Sequence, residues 1–278
     1  MSPLWRDQID VFFAPGRVDL VRTKRGLKPV SLPVMTELIH GNQDGVPVWL
    51  TPIQHLEHML ADAAGTRMTV TLSNHFVRYV TLPPQPEITT PDEVLAFADF
   101  RMREIYGSRV DHWTLSISAW SPVYGAICAA VSKELLAKLE EMAMSHQIKL
   151  NAIEPYLSTV LDRWMKSLNK QKSFVVLVET GRICVALMEN GVWQSIRNQR
   201  VLHDVVGELW AALDQEAVLS GNKEAIEQAF LFAPEHPALT LPHESGWHIL
   251  QLRSEKITVP AHFPAPVAEK AKEDACPA

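Results

Sequence analysis

The sequence predicts an α/β chain folded as two lobes built on one duplicated plan. Two triplets of short strands, one opening at Ile9 and the other at Phe174, each run on into helical spacing. Hairpin chemistry punctuates both triplets, at Pro15–Gly16, Thr180–Gly181 and Asn190–Gly191. The 278 residues exceed one compact core and fall short of three domains. The expected organisation is a first lobe with an inserted subdomain over 1–170, a second lobe over 171–257, and a flexible tail over 258–278, where Pro, Ala, Glu and Lys dominate.

The segment from Ile9 reads as a hairpin turning at Pro15–Gly16, with Val18 and Leu20 alternating against polar neighbours. A helix follows through Ala63, with Thr51 as N-cap, Pro52 at its first position, and Ile53, Leu56 and Leu60 on one face. Met68–Ser73 and Phe76–Leu82 read as a second hairpin around Asn74–His75. Thr90, Pro91, Asp92 and Glu93 start a helix that runs to about Ile105 and closes at Gly107. Trp113–Trp120 and Gly125–Val131 form a further hairpin, and Ser132 caps a helix to about His146. A strand over Ile148–Ile153 and a helix over Pro155–Leu168 complete the first set.

The second set comprises strands Phe174–Glu179, Arg182–Met188 and Val192–Arg197 and a helix over Asp204–Leu219. Strands near Phe230–Ala233 and Trp247–Leu252 end it. Of its turns, Asn190–Gly191 is the strongest hairpin signal in the chain.

An apolar content of 47% with 21% charged residues supplies a core and excludes disorder of the whole chain. The net charge of −6 argues against a nucleic-acid binder, whose affinity rests on clustered cations. One basic cluster, Arg17, Arg22, Lys24, Arg25 and Lys28, reads as a solvated strand face rather than an acidic-ligand site. The three cysteines are widely spaced and form no metal or redox pair, which fits a reducing compartment. The N-terminus carries charge at once and lacks a signal-peptide core, and no apolar run approaches the roughly 20 residues that cross a bilayer. Membrane association is therefore expected only through a partner, with the chain cytoplasmic or peripheral at an inner membrane.

A resemblance sharpens this reading. The run from Val70 through Ser73, Asn74, His75, Phe76, Val77, Arg78 and Tyr79 to Leu82–Pro83 resembles the cytoplasmic PilM and GspL families of type IV pilus and type II secretion platforms. So does Phe174–Glu179 with Thr180–Gly181, followed by Asn190, Gly191, Val192 and Trp193. The resemblance spans about Ile9 to Phe232. It implies a two-lobed actin-like, ribonuclease H-like duplicated fold that docks a membrane partner's cytoplasmic segment or an assembly ATPase. The missing membrane span departs from the secretion-type relatives and favours the pilus type.

An actin-like ATPase needs an acidic residue before Gly in its first hairpin, so that backbone approaches phosphate and the carboxylate steadies magnesium through water. Here that place holds Phe13, Ala14, Pro15 and Gly16, and Pro15 lacks a donor. The second hairpin offers Glu179, Thr180 and Gly181, a near match. The adenosine element, ordinarily a Gly pair after a late strand, is replaced by Leu231, Phe232, Ala233, Pro234 and Glu235, whose side chains crowd that space.

The leading expectation is accordingly a non-enzymatic adaptor, a pseudo-ATPase without a cofactor, docking protein partners in a lobe groove or the inter-lobe cleft. His75, Arg78 and Tyr79 are its candidate partner-binding residues. The alternative is an ATP-binding or weakly hydrolysing actin-like protein using Glu179, Thr180 and Gly181. A self-assembling structural protein ranks third, and a homodimer stays compatible with every reading. No catalytic or metal-binding set is expected: His55 and His58 lack a third ligand and read as a solvated helix face, and no G-x-S-x-G elbow serves Ser73 and His75.

Overall fold

The structure is a computed structural model and describes residues 6–41, 45–164, 172–221 and 227–252. The expected tail over 258–278 and the first lobe boundary near 170 lie outside them.

The first sheet starts with β1 (Gln8–Ala14) and β2 (Arg17–Lys24), antiparallel around the Pro15–Gly16 turn. Two short strands that the sequence pattern does not signal, β3 (Val30–Ser31) and β4 (Met35–Leu38), pair with the far edge of β2. Helix α1 (Leu50–Met59) then leads to β5 (Arg67–Leu72), which lies parallel to β1. Its N-cap is Trp49 rather than Thr51, which places Pro52 in the first turn, where a missing N–H costs no helical bond. After an insertion, α3 (Lys133–Ser145), β9 (Lys149–Pro155, parallel to β5) and α4 (Tyr156–Trp164) complete the lobe.

The insertion consists of β6 (Val77–Leu82), α2 (Pro91–Tyr106), β7 (Trp113–Ile117) and β8 (Ala126–Ser132), with its own sheet in the order β6-β8-β7. The expected hairpin of Met68–Ser73 with Phe76–Leu82 does not form: β5 pairs with β1 and β9, whereas β6 pairs with β8. The Ser73–Phe76 turn carries the chain from one sheet to another. In α2, Thr90 and Glu93 make a reciprocal capping box, each side chain accepting from the other's backbone N–H. Thr90→Ala is expected to lower stability by about 1 kcal/mol in urea denaturation, the usual worth of such a cap.

The second lobe repeats the first. Strands β10 (Lys172–Glu179), β11 (Arg182–Glu189) and β12 (Val192–Arg200) form an antiparallel triplet. Helix α5 (Val205–Leu219) leads to β13 (Glu227–Phe232), parallel to β10, and β14 (Trp247–Gln251) lies parallel to β13. The sheet orders are β4-β2-β1-β5-β9 and β12-β11-β10-β13-β14, with the same sequence of antiparallel and parallel pairings. The strand pairing is thus duplicated, although among the described residues the second lobe has no counterpart of α3 and α4. Asn190 at φ 52° and Gly191 at φ 82° give the β11–β12 turn the left-handed pair that a type I′ hairpin requires.

Each outer face buries apolar side chains against helices: Leu56 of α1 and Leu139 of α3 in the first lobe, Leu209 and Leu213 of α5 in the second. The inner faces meet one another. Phe12 packs edge-on against Tyr156, and Tyr156 and Trp164 both pack on Phe232, so an aromatic row forms the floor between the lobes. Val175, Leu177, Cys184 and Met188 of the second sheet belong to the same continuous core as the first lobe.

Candidate functional site in the inter-lobe cleft

The duplication brings two homologous hairpin turns, Pro15–Gly16 and Thr180–Gly181, to face each other above the aromatic floor, with the exit of β13 beside the second. Direct contacts across this cleft are polar and extensive.

On the β13 side, Arg17 at the start of β2 lies 2.9 Å from the fully buried carboxylate of Asp19 and 2.9 Å from Glu235 of the other lobe. Asp19 also accepts from Thr36 Oγ1 of β4 at 2.7 Å. Burial pushes the Asp19 carboxyl up, against the pull of Arg17 and Thr36. The second Glu235 oxygen accepts from the Thr180 backbone N–H at 2.8 Å and from the Thr180 hydroxyl. A carboxylate of the chain itself therefore sits on the donors that the second hairpin would offer to a phosphate.

In the centre, Glu179 is 3% exposed. It accepts from Ser73 Oγ at 2.5 Å and from the Asn74 N–H at 3.1 Å, both from the turn that follows β5. Burial pushes its carboxyl up to about 7, opposed by these hydrogen bonds and reinforced by nearby Glu235. Asn74 accepts from the Tyr79 hydroxyl at 2.7 Å, and its carbonyl accepts from Asn198 Nδ2 of β12 at 2.8 Å.

On the β12 side, His75 Nε2 meets the Thr180 carbonyl at 3.0 Å and stands over Gly181, where a Cβ would lie 3.7 Å from the ring. Burial, with nearby Arg182, lowers the His75 pKa to about 4, so the ring is neutral near pH 7 and donates to that carbonyl. Arg78 donates to the His75 and Val77 carbonyls at 3.2 and 2.9 Å.

The structure thus gathers His75, Glu179, Thr180 and Gly181 at one point and sets Arg78 beside them. Tyr79 requires correction as a partner-binding candidate: it is 3% exposed, with its ring in the core and its hydroxyl on Asn74. Its place on β6 next to Val77 and Val80, both buried, already marks a strand covered on both faces. The basic cluster also divides. Arg17 belongs to the cleft and Arg22 pairs with Asp7, whereas Lys24, Arg25 and Lys28 are exposed. His55 is bonded to Glu37 of β4. Asp19, Ser73 and Asn198 were not singled out as cleft residues from sequence, and Glu235 was named only within the stretch that replaces the adenosine element. Only a hairpin-by-hairpin superposition of the two duplicated halves could have suggested them.

No family model and no curated protein sequence matches the chain. Solved structures do. A Bacteroides thetaiotaomicron protein with an actin-like ATPase fold and unknown function aligns with a TM-score of 0.56 at 10% identity, over 83% of this chain and 84% of that one. The fold is actin-like. The PilM–PilN type IV pilus biogenesis complex aligns at 0.56 and 12% identity, over 81% of each chain. The cytoplasmic domain of EpsL, an inner-membrane component of the Vibrio cholerae type II secretion system, aligns at 0.55 and 10% identity, over 89% of this chain and 90% of that one. The actin-like architecture implied by the sequence resemblance is therefore present, and structures from both suggested systems share it. Within it, the cleft just described lies between the lobes, beside the Pro15–Gly16 and Thr180–Gly181 turns.

Proposed function

We propose that this actin-like chain is a non-enzymatic adaptor of a pilus or secretion assembly platform, in which the ancestral nucleotide cleft has become an internal clasp. The observation that carries the reading is the Glu235 carboxylate, seated on the Thr180 N–H and hydroxyl and paired with Arg17 across the lobes. A triphosphate entering there would have to displace a charged group already bonded on both sides. It would also meet Pro15, which has no N–H to give, and the Glu179 carboxyl already bonded to Ser73 and Asn74. Electrostatics oppose it further, because the Glu235 carboxylate already holds the Thr180 N–H and hydroxyl that a phosphate would need.

The likeness to a PilM–PilN complex and to the EpsL cytoplasmic domain supports a protein partner at an inner membrane. No helix among the described residues is long and apolar enough to cross a membrane. His75 and Arg78, at the junction of insertion and second lobe, remain the proposed partner-facing residues.

Isothermal titration with ATP and magnesium is expected to give no saturable heat at millimolar ligand. Saturable binding that Glu179→Ala abolishes would replace this reading with an actin-like ATPase using Glu179, Thr180 and Gly181. The partner side is read by pull-down with cytoplasmic segments of candidate platform proteins, where capture is expected to weaken on Arg78→Ala.

A further inference from the structure

The β12 side of the cleft holds positive charge that the fold leaves without a counter-ion. Arg182 and Arg200 are directly opposite each other in the β11–β12 ladder, on the sheet face turned toward the first lobe. Like charges at such a position are destabilising unless something is gained. Strand β6 packs against β12, held by Asn198 Nδ2, which donates to the Asn74 and Val77 carbonyls. That packing sets Arg78 next to the pair.

None of the three guanidiniums is bonded to a carboxylate among the described residues. Arg78 is engaged only by backbone carbonyls. Arg182 is 5% exposed, and its Nε is buried with no hydrogen-bond partner. An orphaned donor on a buried cation costs free energy that a bound anion would return. The acidic group that acts on Arg182 is Glu179, which is itself bonded to Ser73 and Asn74, and the ring of His75 adds no charge near pH 7. Arg200 is exposed, which gives the cluster an opening to solvent.

We propose that Arg78, Arg182 and Arg200 form a binding site for one tetrahedral oxyanion of the phosphate class at the junction of β6, β11 and β12. Three guanidiniums exceed what a single carboxylate neutralises. A phosphate dianion supplies both the charge and enough acceptor oxygens for several forked donors. The site is distinct from the nucleotide position. In the order β12-β11-β10-β13 it lies on the β12 flank of the Thr180–Gly181 hairpin, whereas Glu235 closes the β13 flank. It shares Arg78 with the proposed partner-facing surface but does not depend on that reading, because phosphate is titrated without any protein partner.

The test is titration of the full chain with inorganic phosphate and, in parallel, with glycerol phosphate, at low ionic strength and pH 7.5. One saturable site is expected, with Kd raised at least tenfold in Arg182→Gln and several-fold in Arg200→Gln. Phosphate should raise the thermal midpoint of the wild type and leave that of Arg182→Gln unmoved. Equal affinity for glycerol phosphate would assign a phosphate ester with room for its substituent, and a marked preference for inorganic phosphate would assign the free ion. Arg182→Gln removes an unpartnered buried charge and is expected to fold. Should it not, Arg200→Gln and Arg78→Gln carry the same readout. No saturable binding, or binding that all three substitutions leave unchanged, would overturn the proposal.

Discussion

Arg17→Met is expected to destabilise the chain by about 3 kcal/mol at pH 7 in urea denaturation, the scale on which one member of a buried ion pair is lost. The reason is Asp19, whose carboxylate is fully buried and keeps only Thr36 Oγ1 once the guanidinium is removed. The guanidinium carbon of Arg17 lies 5.1 Å from the Phe12 ring centroid, so Met keeps the aliphatic bulk of the side chain but gives up that cation–π contact along with the ion pair. Glu235 remains bonded to Thr180, so the direct ionic tie between the lobes is broken while the second hairpin stays filled. Two further measurements separate this account from simple misfolding. The deficit should shrink as pH falls, because a protonated Asp19 no longer needs the cation. Combining Arg17→Met with Asp19→Asn should recover most of the stability, which places the pair in one coupled unit. A loss below about 1 kcal/mol, the range of exposed pairs, would show that the Arg17 network does not clamp the lobes.

That network illustrates where sequence reading stops. The fold was legible because its signals are local. Pro15–Gly16 and Asn190–Gly191 announce hairpins through backbone chemistry, and Thr90 with Glu93 announces a helix start through reciprocal capping. Repetition of a strand triplet then implies duplication. By contrast, Arg17 and Glu235 are 218 positions apart, and nothing near either residue records the other. Glu179 was read with Thr180 and Gly181 as a near match to a phosphate hairpin, and only the packed lobes show that Ser73 and Asn74 enclose it.

The pairing of β6 was misread for a related reason. Asn74–His75 between two patterned runs has the turn chemistry of a hairpin, and the choice of β8 as partner is made by tertiary packing. Strands β3 and β4 escaped because both are short and exposed, so they lack the alternation that betrays a half-buried strand. At the candidate nucleotide elements, Pro15 and the residues without glycine after β13 are readable one at a time, whereas the bond of the Glu235 carboxylate to Thr180 is not.

The pH dependence of stability offers the second large effect, because two neighbouring groups titrate in opposite senses. Glu179 has its folded pKa raised from 4.5 to about 7. The folded state then holds a proton that the unfolded state releases, so stability contributed by Glu179 is full below about pH 4.5 and is lost as pH rises through 7. His75 has its folded pKa lowered from 6.5 to about 4, so its contribution is full above pH 6.5 and is lost as pH falls toward 4. Each swing is on the order of 3 kcal/mol from the size of its shift. Between pH 4.5 and 6.5 the two slopes oppose, and the wild type should vary little there on their account. Glu179→Gln removes one of them. Its amide can still accept from the Asn74 N–H and share a hydrogen bond with the Ser73 hydroxyl, and it carries no charge to desolvate. The variant is therefore expected to gain on the order of 3 kcal/mol over wild type at pH 8. Below pH 6.5 it should lose stability steadily as His75 resists protonation. His75→Gln should do the reverse, exposing the Glu179 slope as stability that declines from pH 4.5 to 7. Denaturant midpoints of the wild type and both variants across pH 4.5 to 8 read all of this at once. If Glu179→Gln were the less stable protein at pH 8, the ionised carboxylate would be a favourable member of the clasp. The cleft would then hold its charge for use, as a nucleotide-linked metal would require, and the ATP-binding alternative would gain over the adaptor reading.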